Sequence, residues 1–101
     1  MPDAPAGRPL PAATAAPAGL SRIAEQVREF HRAFRLPLAD RPTAALESGQ
    51  VELRQALIEE ELAELRAAGS AGDLVGVADA LADIVYVAYG TACVYGIDLD
   101  A

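Results

Sequence analysis

The chain has 101 residues, of which 52% are hydrophobic, and its 15 acidic and 8 basic residues give a net charge of −7. A chain of this length forms one domain at most, with a modest core. The acidic balance argues against a protein whose main partner is the phosphate backbone of DNA or RNA. It leaves open a nucleotide that arrives as its metal complex.

The N-terminal segment differs in composition from the rest of the chain. Residues 1–19 contain five of the seven prolines, many alanines and no uninterrupted apolar stretch of the kind found in a targeting signal. We therefore expect a flexible tail at 1–19 and one helical domain at 20–101. The longest uncharged run, 84–97, has 14 residues, which is too short to span a bilayer, so no membrane partner is predicted.

The first predicted helix starts after Ser21, a residue type that favours helix N-caps, and ends before Pro37. Its apolar stripe repeats at spacings of four, three and four residues: Ile23, Val27, Phe30 and Phe34. This periodicity is typical of an amphipathic helix.

Histidine and cysteine each occur once, and neither forms a metal-binding motif. His31 has Arg28 three residues before it, so the Glu-x-x-His pair of di-iron bundles is absent, and we expect a surface or core-edge histidine. Cys93 lies in an apolar run and is predicted to be a buried, unpaired residue. A single free cysteine fits a reducing, cytoplasmic location.

The second predicted helix, at about 51–68, carries four carboxylates within the six residues 59–64. The helix repeat places Glu60, Glu61 and Glu64 together beside the apolar stripe, whereas Glu59 points to the opposite side. Burying an unpaired carboxylate is costly, so these three acids are expected to share a cation. A turn at 69–72 is predicted to end the helix.

The third predicted helix, at about 74–95, is capped by Asp73 and ended by Gly96. It is apolar nearly all round, and such a helix must be covered on most sides. Two helices of one chain can hardly do so. We therefore predict an all-α antiparallel helical bundle completed by oligomerisation, most simply a homodimer.

The charged residues within the third helix are Asp79 and Asp83, one turn apart. The short connection between the second and third helices favours an antiparallel hairpin, in which these aspartates face the acidic cluster. The predicted metal ligands are Glu60, Glu61, Glu64, Asp83 and Asp79. Carboxylate oxygens suit hard cations, so Mg²⁺ or Mn²⁺ is the expected ion.

Several segments resemble the MazG-like all-α nucleoside triphosphate pyrophosphohydrolases, including their dUTPase-like branch. These segments are 29–34, 57–64, 79–90 and 96–98. The resemblance implies Mg²⁺-dependent hydrolysis of a (d)NTP between the α and β phosphates, giving the monophosphate and pyrophosphate, often to clear unwanted nucleotides. It implies Mg²⁺ ligands at Glu60, Glu61, Glu64 and Asp83. A carboxylate beside the attacking water, Glu61 or Glu60, would be the catalytic general base.

The sequence departs from the family pattern at two places. Ala80 occupies the position of the second motif's glutamate, and Asp79 is expected to substitute for it. The chain contains no lysine and ends at Ala101, before a basic segment that relatives commonly have. Arginines such as Arg28, Arg32 or Arg54 would then supply the basic groups. The alternative is a catalytically inactive helical oligomer or interaction module that keeps the fold.

Overall fold

The structure is a computed structural model that describes residues 16–101, with side chains from residue 22 onwards. It contains three helices: α1 (Ala16–Ala33), α2 (Gln50–Ala71) and α3 (Leu74–Tyr95). No strand occurs within the described range, so the predicted all-α class is confirmed. The predicted tail lies outside the described residues except for 16–19, which belong to α1, and the domain division stays a prediction.

Helix α1 begins at Ala16, five residues before the predicted N-cap at Ser21, so that predicted start is wrong. Alanine is the best helix former, and proline is tolerated in a first helical turn, so the segment around Pro17 extends the helix. The helix ends at Ala33, before Pro37 as predicted. Arg35 then takes a left-handed φ of 56° as the chain turns away.

Helices α2 and α3 form a hairpin with a two-residue connection. Helix α2 continues through Gly69 to Ala71, three residues beyond the predicted end. The stop is Gly72, whose φ of 66° suits a residue without a Cβ and whose N–H caps the last carbonyls of α2. Asp73 then caps α3 as predicted, since its carboxylate accepts a hydrogen bond from the Gly76 N–H at 3.0 Å.

Helix α3 is the central element of the fold. It packs against α1 and against α2, whereas no Cα atoms of α1 and α2 lie within 8 Å of each other in the described part of the chain. Four of the five buried apolar residues belong to α3, and α2 buries none of its residues. These five residues are Val27, Ala80, Ala92, Cys93 and Val94.

Large apolar side chains remain open on all three helices. Phe30 on α1 is 40% exposed, Leu53 on α2 46% and Leu74 on α3 80%. This exposure agrees with the expectation that two helices of the same chain cannot cover α3, while the oligomer itself stays a prediction. By length and composition α3 also qualifies as a membrane span, a test that core helices of folded domains pass as well.

The two residues considered for transition-metal chemistry have structural roles. His31 is buried, with 3% of its surface exposed, and its Nδ1 lies 2.8 Å from the Pro37 carbonyl oxygen. It is a core histidine, deeper than the predicted core edge, that ties the end of α1 to the following loop. Cys93 is buried as predicted, and burial raises the pKa of its thiol.

Candidate metal centre

The α2–α3 hairpin brings three of the predicted acids together. One carboxylate oxygen from each of Glu61, Glu64 and Asp83 lies within 4.8 Å of the others. Glu61 and Glu64 are three residues apart and therefore project from the same side of α2. Asp83 stands opposite them because α3 runs antiparallel to α2. The prediction that acids of the two motifs meet across a hairpin agrees with this geometry.

Glu61 is the most enclosed member of this group. Its side chain is half-buried, and its Oε1 atom is buried without a hydrogen-bond partner in the described part of the protein. Burial raises the pKa of the Glu61 carboxyl, and the negative charges of Glu64, Asp83 and Glu60 raise it further. A buried acceptor that faces other carboxylates has the surroundings of a cation ligand.

Glu60 and Asp79, the other two predicted ligands, lie outside the group. Glu60 is exposed on α2, although it is near enough for its charge to act on Glu61. Asp79 and Asp83 are exposed as well. Exposure does not keep Asp83 from the group, since it contributes one of the three clustered oxygens.

The position of the missing motif glutamate is filled by a packed residue. Ala80 is buried in α3, three residues before Asp83, so its side chain points into the protein interior. The group therefore has three close carboxylates among the described residues, and the role of Asp79 as a substitute ligand stays a prediction. Carboxylates without histidine or thiolate fit Mg²⁺ or Mn²⁺ and do not fit a structural zinc site. The residues present thus fit the predicted class of ion.

One arginine of α2 makes hydrogen bonds to α3. Arg54 is half-buried on α2, seven residues before Glu61. Its Nε donates to the Thr91 hydroxyl at 3.2 Å, and its Nη2 donates to the Val87 carbonyl oxygen at 3.4 Å. The sequence analysis considered Arg54 for phosphate binding and missed these contacts. The spacing from Glu61, which repeats the helix face, is the signal that could have indicated them.

The protein also has a cavity away from the acidic cluster. It has a volume of about 370 Å³ and lies between α1 and the end of α3, where Arg28, Tyr89 and Asp98 are among its lining residues. None of the predicted acids lines it. We place the candidate centre at the carboxylates because their chemistry, rather than the volume of a cavity, identifies a cation site.

Comparison with known proteins agrees with the two acidic helices. The profile of the phosphoribosyl-ATP pyrophosphohydrolase family matches residues 27–101, about three quarters of the chain. An uncharacterized protein of Acanthamoeba polyphaga mimivirus is 48% identical over 50 residues, which are 50% of this chain and 20% of that relative. The chain thus spans a fifth of the relative's length. By the family match, the chain belongs to the phosphoribosyl-ATP pyrophosphohydrolase family, within the MazG-like all-α superfamily that its motifs resemble.

Proposed function

We propose that the protein hydrolyses a (d)NTP, with Mg²⁺ or Mn²⁺, to the nucleoside monophosphate and pyrophosphate. Membership of the family indicates pyrophosphohydrolase activity on a nucleotide. The observation that carries the finer proposal is the group Glu61, Glu64 and Asp83, with its buried, unpartnered Oε1 atom on Glu61. A nucleoside triphosphate arrives as its metal complex, and the cation of that complex would offset the repulsion among the three carboxylates.

The three clustered carboxylates would hold the ion. When bound, it supplies neutralisation of charge on the phosphates and a lower pKa for a bound water. Glu64 and Asp83 are exposed, so the group is open to a ligand from solvent. Water adds to the α-phosphorus as the bond from that phosphorus to the departing pyrophosphate breaks. The attacking water gives up a proton in this step, and a base must accept it.

Glu61 is the better placed of the two predicted general bases. In the metal-free protein its pKa is raised by burial and by neighbouring charges, which marks Glu61 as the carboxyl of the group with the greatest tendency to hold a proton. A carboxylate has two oxygens, so one oxygen of Glu61 can hold the ion while the other accepts a proton, and Oε1 has no protein partner among the described residues. Glu60 is exposed and stands outside the cluster, which favours Glu61 for this role.

Further parts of the proposal concern the setting of the activity. We propose a substrate like that of the dUTPase-like branch, a role in clearing unwanted nucleotides, a cytoplasmic location and a homodimer. The exposed apolar side chains, with Leu74 and Val75 the most open, support a second copy as the cover of α3.

A pyrophosphate-release assay tests the proposal. The unaltered chain is given a panel of NTPs, dNTPs and phosphoribosyl-ATP, with Mg²⁺, with Mn²⁺ and with a chelator. Release that requires the cation and is lost in Glu61→Gln and Asp83→Asn would support the proposal. Glu59→Gln is the matched control, since Glu59 is exposed and outside the cluster. Cation binding without turnover of any substrate would instead favour the inactive interaction module.

A further inference from the structure

The three helices of the protein approach one another around Gly90. A Cβ atom at this position would lie 2.7 Å from Nη2 of Arg54 on α2 and 3.2 Å from Nε2 of His31 on α1. The absence of a side chain therefore lets the Arg54 guanidinium lie against the backbone of α3. Gly90 is buried in an otherwise apolar stretch of the helix.

The contacts of Arg54 form a small polar network, which we call the Arg54 clamp. Arg54 reaches the Thr91 hydroxyl and the Val87 carbonyl, and the Thr91 hydroxyl itself donates to the Val87 carbonyl at 2.8 Å. In the described part of the chain no carboxylate pairs with Arg54. Burial lowers the pKa of the guanidinium, which nevertheless remains charged. Partial burial of a cation among neutral acceptors costs free energy, so we looked for a role of Arg54 that offsets this cost.

Apolar packing alone leaves the axial register between α2 and α3 weakly specified. Helix α2 buries none of its residues, and α3 is apolar on most sides, so no deeply buried side chain of α2 sets its alignment along α3. A slip of one turn moves one helix by about 5.4 Å along the other. That exceeds the 4.8 Å within which the oxygens of Glu61, Glu64 and Asp83 lie. A single slipped turn would therefore separate the acids.

The clamp distinguishes the native register from a slipped one. A guanidinium is planar, so its two N–H donors meet the Thr91 and Val87 oxygens together in one alignment of the helices. The connection at Gly72 and Asp73 holds the helices together at one end only, so their alignment further along needs contacts of its own. The clamp fixes the other end, and the carboxylates lie between these two points.

We infer that Arg54 is a positioning residue for the candidate metal centre, acting through Thr91 and Val87 to hold α2 and α3 in the register that brings Glu61 opposite Asp83. Its role in cation binding rests on the proposed function, whereas its role in register does not. Polar groups buried between helices are known to fix register in coiled coils, which is the same physical device.

Two variants and a rescue test the inference without altering any acid. Thr91→Val removes the hydroxyl while keeping the shape of the side chain, and Gly90→Ala places a methyl group against the guanidinium. Thr91→Ser retains the hydroxyl and should restore the behaviour of the unaltered chain. Val27→Ala is the matched control, since it opens a buried site on α1 and removes none of the hydrogen-bonding groups of the clamp.

Two measurements are made on each variant. The dissociation constant for Mn²⁺ alone is measured by electron paramagnetic resonance. It should rise about tenfold in Thr91→Val and Gly90→Ala, which is the change expected when a residue that orients metal ligands is lost. The distance between spin labels at Gln55→Cys on α2 and Ala82→Cys on α3, both exposed positions, should broaden or shift in the same variants. The buried Cys93 thiol, with its raised pKa, is left in place.

The outcomes separate the inference from the proposed function. Val27→Ala should lower the melting temperature and leave both the Mn²⁺ affinity and the label distance unchanged. If Thr91→Val and Gly90→Ala behave like Val27→Ala, the inference is overturned and the clamp only stabilises the fold. If the unaltered chain binds no Mn²⁺, the cation role fails, and the label distances alone decide the claim about register.

Discussion

Replacing Glu61 by glutamine should stabilise the metal-free protein and weaken its stabilisation by metal. The carboxylate oxygens of Glu61, Glu64 and Asp83 lie within 4.8 Å of one another, and the pKa of Glu61 is raised mainly by burial. Without metal, Glu61→Gln removes a disfavoured charge from this group and should raise the melting temperature. With metal, the same change removes a ligand and should weaken the gain in stability.

The size of the metal response follows from mass action. A cation at about 100 times its dissociation constant stabilises the folded protein by about 2.7 kcal/mol. For a domain of this size, that corresponds to a rise of about 10–20 °C in melting temperature. If the variant binds about 100-fold more weakly, the same concentration contributes only about 0.4 kcal/mol, or about 2–3 °C.

The assay is thermal unfolding followed by circular dichroism, with a chelator and with increasing Mn²⁺. Glu59→Gln removes an exposed glutamate outside the cluster and should keep the full metal response. An equal rise in melting temperature for Glu61→Gln and for the unaltered chain would refute the assignment of Glu61 as a ligand. A metal-free Glu61→Gln protein that is less stable than the unaltered chain at neutral pH would refute the claim that the Glu61 charge destabilises the metal-free fold.

Three further predictions test other parts of the structure. The metal-free protein should lose stability as pH rises above the ordinary glutamate range, because the raised pKa of Glu61 means that folding favours its protonated form. Melting curves of Glu61→Gln should not show this loss. In Mn²⁺ titrations, Asp83→Asn should weaken binding at least tenfold and Asp79→Asn much less, since Asp79 lies outside the cluster; equal losses would restore Asp79 as a ligand. Denaturant titration should show Gly96→Ala to be destabilised by about 1 kcal/mol or more, because Gly96 has a φ of 72° and a Cβ there would collide with the Arg41 backbone.

Local chemistry explains which features the sequence could predict. The limits of α3 follow from Asp73 and Gly96, whose capping roles depend on neighbouring backbone atoms. The meeting of Glu61 and Glu64 follows from helix geometry, and the approach of Asp83 follows from the short hairpin connection. Each of these features needs no knowledge of distant contacts.

Other features depend on how the helices pack and could not be predicted in this way. Asp79 is exposed, and periodicity within α3 does not reveal which side of that helix its neighbours cover. The contact between Arg54 and Thr91 requires the register of two helices and the space at Gly90. Helix α1 starts before the predicted cap at Ser21, because the helix propensity of the preceding alanines extends it, and a plausible cap residue conceals that weaker signal in the sequence.

The separation of α1 from α2 has a consequence for amide hydrogen exchange. Since α1 packs against α3, and no Cα atoms of α1 and α2 lie within 8 Å of each other in the described residues, α1 can detach without breaking any contact within the α2–α3 hairpin. Local opening in proteins follows such units, so the amides of α1 around Val27 should exchange before those of α3 around Ala80. The acids borne by the hairpin would then remain together during openings that expose His31 to solvent.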